Sequence, residues 1–125
     1  MVKVEIAEYK RHWRKRAERE AAHRRAIAST ARAEARQVAQ MLVREFGANR
    51  VYLFGSLAQE GRFHERSDVD LAVEGIAPER FYKAWAATGA YSGVPIELVD
   101  LDEVGEPMGK LILKYGELLC DADTD

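Results

Sequence analysis

From Val2 to Phe46 the chain contains neither glycine nor proline, and in the second half of that stretch apolar side chains recur every three or four positions: Ile27, Ala31, Ala35, Val38, Leu42 and Phe46. That period is one face of an α-helix. The Ala, Arg and Glu residues between them are strong helix formers, and Gly47 supplies a C-terminal stop. The first half carries a thinner stripe. Ile6, Tyr9 and Trp13 begin it, but it fades into Ala17 and Ala21 among many arginines. A helix with so narrow an apolar face is solvent-exposed or awaits a partner.

After Gly47 the pattern changes from long-period to short apolar runs. Val51 to Phe54 reads as a buried strand ended by Gly55-Ser56, which can begin a short helix. Asp68 to Val73 reads as a second strand closed by Gly75, and Pro95 to Leu101 as a third. Pro78 fits the first turn of a helix running to about Ala87, and Pro107 that of a short helix through about Lys114. The order predicts a small α+β (α/β-like) domain: a mixed sheet with flanking helices and a long N-terminal helix. The apolar pattern divides it into a basic helical extension, 1–26, and a body, 27–125. Tyr52, Phe54, Phe81, Tyr82 and Trp85 fall on apolar patterns and are expected in the core.

A length of 125 residues suits one domain. The single cysteine, Cys120, cannot form an internal disulfide, which argues against an oxidised secreted scaffold. The longest stretch without a charged residue, Ala84 to Ile96, holds two glycines and a proline, so no membrane helix is expected. The charged N-terminus does not resemble a secretion signal. A cytoplasmic protein is the expectation. The formal charge of −2 is unevenly spread: residues 1–47 carry twelve Lys/Arg and six Asp/Glu, whereas residues 48–125 carry seven and fifteen. A basic front end on an acidic body suggests one contact surface and one site.

The acidic half contains the candidate chemistry. Asp68 and Asp70, two apart on a strand, point to the same face. Carboxylates are the hard oxygen ligands that Mg²⁺ prefers, and two on one face can splay around a pair of ions suited to in-line phosphoryl chemistry. Upstream, Gly55 lets the backbone approach an anion, and Ser56 adds a hydroxyl and a helix-start N–H. Arg62 and Arg66 flank the interval between the two motifs and are candidates to meet phosphates.

Gly55-Ser56, an interval of eleven residues, and Asp68-Val69-Asp70 together resemble the signature of the minimal nucleotidyltransferases of the DNA polymerase beta superfamily. The likeness extends through Leu71-Ala72-Val73 and on to Ile96-Glu97-Leu98-Val99, covering roughly Ala28 to Leu119. It implies an Mg²⁺-dependent nucleotidyltransferase using ATP, with Asp68 and Asp70 holding two metal ions. Glu97, the best match to the third carboxylate, would complete one metal site and accept the hydroxyl proton. Gly55 and Ser56 would hold the β- and γ-phosphates. Asp100 is the rival third carboxylate, on the opposite face of the strand from Glu97. Leu57 stands where many members carry a basic residue, which shifts the phosphate grip to Arg62 or Arg66. Proteins similar to this one are often antitoxins that transfer AMP from ATP to a tyrosine of a HEPN-type toxin, so such a toxin is the expected partner.

Two other classes compete. One is a non-catalytic antitoxin that blocks its partner by contact alone. The other is a nucleic-acid-binding module using the basic helix, where Lys10 to Arg25 hold eight basic residues against two glutamates. Within that window the charges run around the helix, which favours a solvated or protein-binding role, including self-association through the helix. His12, His23 and His64 are too scattered for a zinc site.

Overall fold

The computed structural model describes residues 2–123, with side chains from residue 5 onward, so Met1 and residues 124–125 of the expected domain bounds lie outside the described residues. The glycine-free stretch forms α1 (Val2–Phe46), one unbroken helix of 45 residues. Gly47 ends it at φ 76°, a left-handed conformation costly for any residue with a Cβ. Ala31, Ala35, Val38, Ala39, Met41 and Leu42 are 0–1% exposed. Three of these six are alanines, which lets the helix backbone approach the sheet closely. From Glu5 to Ala26, by contrast, every side chain is exposed apart from half-buried Ala21.

The sheet consists of β1 (Arg50–Phe54), β2 (Val69–Glu74), β3 (Ile96–Asp100) and β4 (Glu117–Asp121), in the order β3-β2-β1-β4. β1 runs antiparallel to both neighbours, and β2 pairs parallel with β3. The mixed sheet is as expected. The fourth strand is an addition to the three predicted: Leu118 and Leu119 belong to a strand at the edge of the sheet. Val51 and Leu53 of β1, Val69, Leu71 and Val73 of β2, and Ile96 and Leu98 of β3 are all buried. They meet the inner face of α1 in one core.

The β2–β3 crossover carries a 3₁₀ turn (Pro78–Arg80) and α2 (Phe81–Ala87), the expected helix with its first turn wound tighter. Ala84 is buried, and Trp85 Nε1 donates to the Ile96 carbonyl at 2.7 Å, tying α2 to β3. Tyr82 departs from its expected core position: it is 76% exposed and stacks on the Trp85 ring from outside. One step along a helix turns a side chain by about 100°, so Phe81 and Tyr82 cannot share the inner face. The last helix, α3 (Met108–Tyr115), starts directly after Pro107. No described helix is long and apolar enough to cross a membrane.

Candidate active site

β1 and β2 deliver Gly55 and Asp70 to the same point. Phe54, the last residue of β1, pairs with Asp70, so the next residue turns across the Asp70 side chain. Gly55 takes φ 74°, and a Cβ built there would fall on a carboxylate oxygen of Asp70. Glycine is required twice, by conformation and by space. Beyond it, Ser56–Ala58 wind into a single 3₁₀ turn that buried Leu57 anchors in the core. Ala58 N donates to the Gly55 carbonyl at 3.2 Å and Gln59 N to the Ser56 carbonyl at 3.2 Å. Among the described residues the Ser56 hydroxyl makes no hydrogen bond, and the turn has no side-chain cap. Its first N–H groups are therefore open to a ligand.

Alternation along β2 sends Val69, Leu71 and Val73 into the core and Asp70 to the other face, half-buried. Asp68 lies one residue ahead of the strand rather than inside it, and is exposed. Its approach is fixed by Val69 N, which donates to the Pro95 carbonyl at 3.0 Å. The parallel register places Glu97 directly beside Asp70. The Asp70 carboxyl is held above its ordinary value of 3.8, first by burial, then by the negative charges of Asp68 and Glu97. The charges of the other two expected carboxylates therefore both reach Asp70. Asp100 pairs with Val73 instead, and its carboxylate accepts Asp102 N at 3.0 Å, capping the turn after β3. The register thus groups Glu97, and not Asp100, with Asp70.

Among the described residues no three His, Cys, Asp or Glu side chains stand close enough together to hold a metal ion as they are. The donor set nevertheless fits Mg²⁺ in kind: every donor is a carboxylate oxygen, and one carboxyl resists ionisation, first through burial and then through its two acidic neighbours.

Arg62 and Arg66 both lie exposed on the loop between the turn and β2. Arg62 N donates to the Gln59 carbonyl and Arg66 N to His64 Nδ1. Neither guanidinium pairs with a carboxylate among the described residues. Arg66 borders a cleft of about 500 Å³ against α1, shared with His23 and Glu65, which are joined at 2.7 Å.

Two features escape the sequence. Arg32 of α1 donates to both Glu117 oxygens at 3.0 Å and to the Leu57 carbonyl at 3.2 Å, bracing the 3₁₀ turn from behind. α3 also places Met108, Leu111, Ile112 and Tyr115 across from Phe54 and Gly55, enclosing an apolar cleft of about 520 Å³ beside the Asp70 contact. The 3–4 spacing of those four residues is the only trace of it in the sequence.

Residues 36–125 match the family model described as polymerase beta, nucleotidyltransferase. No curated protein sequence matches the chain. The fold is similar to that of a chain in a toxin–antitoxin crystal structure with AMP-PNP, at 23% identity and TM-score 0.60, covering 72% of this chain and 76% of that one. It is also similar to a chain in the complex of tri-AMPylated Shewanella oneidensis HEPN toxin with MNT antitoxin, at 16% identity and TM-score 0.53, covering 78% and 76%. A further likeness is to a mutant MntA toxin–antitoxin complex, at 20% identity and TM-score 0.58, covering 72% and 75%.

Proposed function

The chain belongs to the polymerase beta nucleotidyltransferase family, and from that premise we propose that it moves AMP from ATP onto a tyrosine hydroxyl of a HEPN-type toxin, acting in the cytoplasm as the antitoxin of the pair. The observation that carries this reading is the seating of the Asp70 carboxylate against Gly55, with Asp68 and Glu97 bearing on the same group. The fold neighbours found in HEPN complexes support the choice of partner.

Divalent cations, two Mg²⁺ ions by the family's pattern, would be held by Asp68, Asp70 and Glu97. Bound there they supply positive charge to the triphosphate and to the departing pyrophosphate. The chain's own groups do the rest. Ser56 Oγ and the open N–H groups of the turn bind β- and γ-phosphate oxygens, as helix-start donors do. Gly55 lets those oxygens come close to the backbone. Glu97, exposed and paired in register with Asp70, is suited to take the proton of the attacking hydroxyl. Arg62 and Arg66 are within the same loop and extend the positive lining for phosphate.

In this reading the acceptor arrives on another chain, docked through the exposed extension, 1–26, while residues 27–125 supply the catalytic domain. Incubation with each α-labelled triphosphate and Mg²⁺, alone and with the protein encoded beside it, tests the reading. Label from ATP is expected on a tyrosine of the partner. Absence of transfer from any of the four triphosphates would overturn it. A partner silenced without label would select the contact-only antitoxin instead.

A further inference from the structure

A third concavity, of about 670 Å³, opens on the α1 side of the 3₁₀ turn, and neither Gly55 nor any site carboxylate lines it. One wall is backbone and side chains of residues 57–61; the other carries Arg24, Arg25, Arg32 and Arg36. Arg32 is fixed by Glu117 and the Leu57 carbonyl. Arg24, Arg25 and Arg36 form no ion pair among the described residues, although Glu60 also borders the cleft. Several unpaired guanidinium groups around one hollow repel one another unless an anion joins them. Their fork geometry matches phosphate oxygens.

The cleft does not stand alone. Eighteen residues make five turns of α-helix, so Arg14 lies on the same line as Arg32, and Arg11 on that of cleft-lining Ser29. Steps of three, four or seven then join Arg11, Arg14, Arg25, Arg32 and Arg36 into one row, interrupted by Glu18. The row spans about 37 Å at 1.5 Å per residue. A mononucleotide would fill only one end of it. A phosphodiester chain, with evenly spaced charges and about 34–36 Å per duplex turn, suits the whole. A protein partner's apolar anchors would engage Ile6, Tyr9 and Trp13, but those lie on a different line. Tyr9 is five turns from Ile27 and Trp13 five turns from Ala31, both on the core-facing side.

We propose that this row and cleft bind the phosphate backbone of a nucleic-acid strand, without base reading and apart from the transfer site. The test is fluorescence anisotropy of the full chain with a labelled 20-nucleotide single-stranded RNA and with a duplex DNA of the same length, between 50 and 200 mM salt. Binding should weaken with salt as expected for release of roughly three or four counter-ions. Arg25→Ala with Arg36→Ala should cost about tenfold for each lost contact and flatten the salt slope by about 1 apiece. Both residues are exposed, so circular dichroism should show an intact fold. Arg44→Ala, in the last turn of α1 and outside the row, should change neither. Asp70→Asn should bind as the parent does, which separates this site from the proposed transfer reaction. No binding at 50 mM salt, or binding that the double variant keeps with the same slope, overturns the proposal. So does capture of a poly-glutamate peptide in place of either nucleic acid, which would make the cleft a protein interface.

Discussion

Asp70 is where the residue-scale forces conflict. Burial and two neighbouring carboxylates oppose its ionisation, so its carboxyl is raised above 3.8 in the folded chain. A raised carboxylate pKa contributes stability at low pH and loses it as pH rises through the folded value. At neutral pH without cations, ionised Asp70 therefore works against the fold. Asp70→Asn should melt at or above the wild-type temperature at pH 7 in EDTA, the difference shrinking as the pH falls towards 4. The same variant should lose transfer by about 100-fold or more, since a neutral amide cannot replace a metal-binding carboxylate. Wild-type transfer by the Asn variant would refute the assignment. Gly55→Ala should fail by another route. Its φ of 74° costs a residue with a Cβ about 1–2 kcal/mol, and the methyl displaces the Asp70 carboxylate. Urea unfolding should show that loss, accompanied by loss of transfer. Ser56→Ala removes a hydroxyl with no described partner in the protein, so triphosphate binding should weaken while the melting temperature stays put. A drop in melting temperature would instead make Ser56 a structural cap.

At the scale of elements, most of the fold was legible because apolar period and breaker residues agree. The 3–4 stripe from Ile27 to Phe46 meets Gly47 at its end, and Val51–Phe54 meets Gly55. β4 was hidden for a physical reason. Its five residues place Leu118 47% exposed at the sheet edge and use Glu117 to hold Arg32, so neither alternation nor a buried run marks it. The candidate site was legible where it depends on local pattern, in Gly55, Ser56, Asp68 and Asp70. The selection of Glu97 over Asp100 needed strand register, which no single segment encodes. The closure of α3 over Gly55 needed the tertiary arrangement. The two halves of α1 differ in the same way. The second half is fixed by the core, while Ile6, Tyr9 and Trp13 remain 48%, 64% and 46% exposed. Burial of such side chains is worth about 1.5–3 kcal/mol each, which a helical partner could recover. Deleting residues 1–25 should leave a folded, ATP-binding domain that no longer assembles with its partner. Light scattering that finds assembly unchanged would make the extension a solvated rod.

Over the whole molecule the charge is divided between its two ends. Residues 1–47 carry a formal +6 and residues 48–125 a formal −8, and the candidate transfer site lies in the acidic part. A triphosphate approaching Asp70 meets Asp68 and Glu97 as well, inside a body already negative, while the unpaired arginines of α1 lie in a separate cleft behind the turn. Uncompensated, that field repels the nucleotide; hard cations, if held by the same carboxylates as proposed, would reverse its sign locally. The consequence is an affinity for ATP that depends on cations far more than on any one contact to the base or ribose. Calorimetry with ATP in EDTA should give no measurable heat of binding, and Mg²⁺ should restore it. Raising monovalent salt in EDTA should not substitute for Mg²⁺, because screening weakens repulsion but supplies no ligand bond to the phosphates. Asp70→Asn should shift the balance in the opposite direction in EDTA, since one repelling charge is gone, while losing the gain that Mg²⁺ brings to the wild type. Equal affinity for ATP in EDTA and in Mg²⁺ would show that the phosphates are held elsewhere, and the arginines of α1 would then be the first groups to substitute.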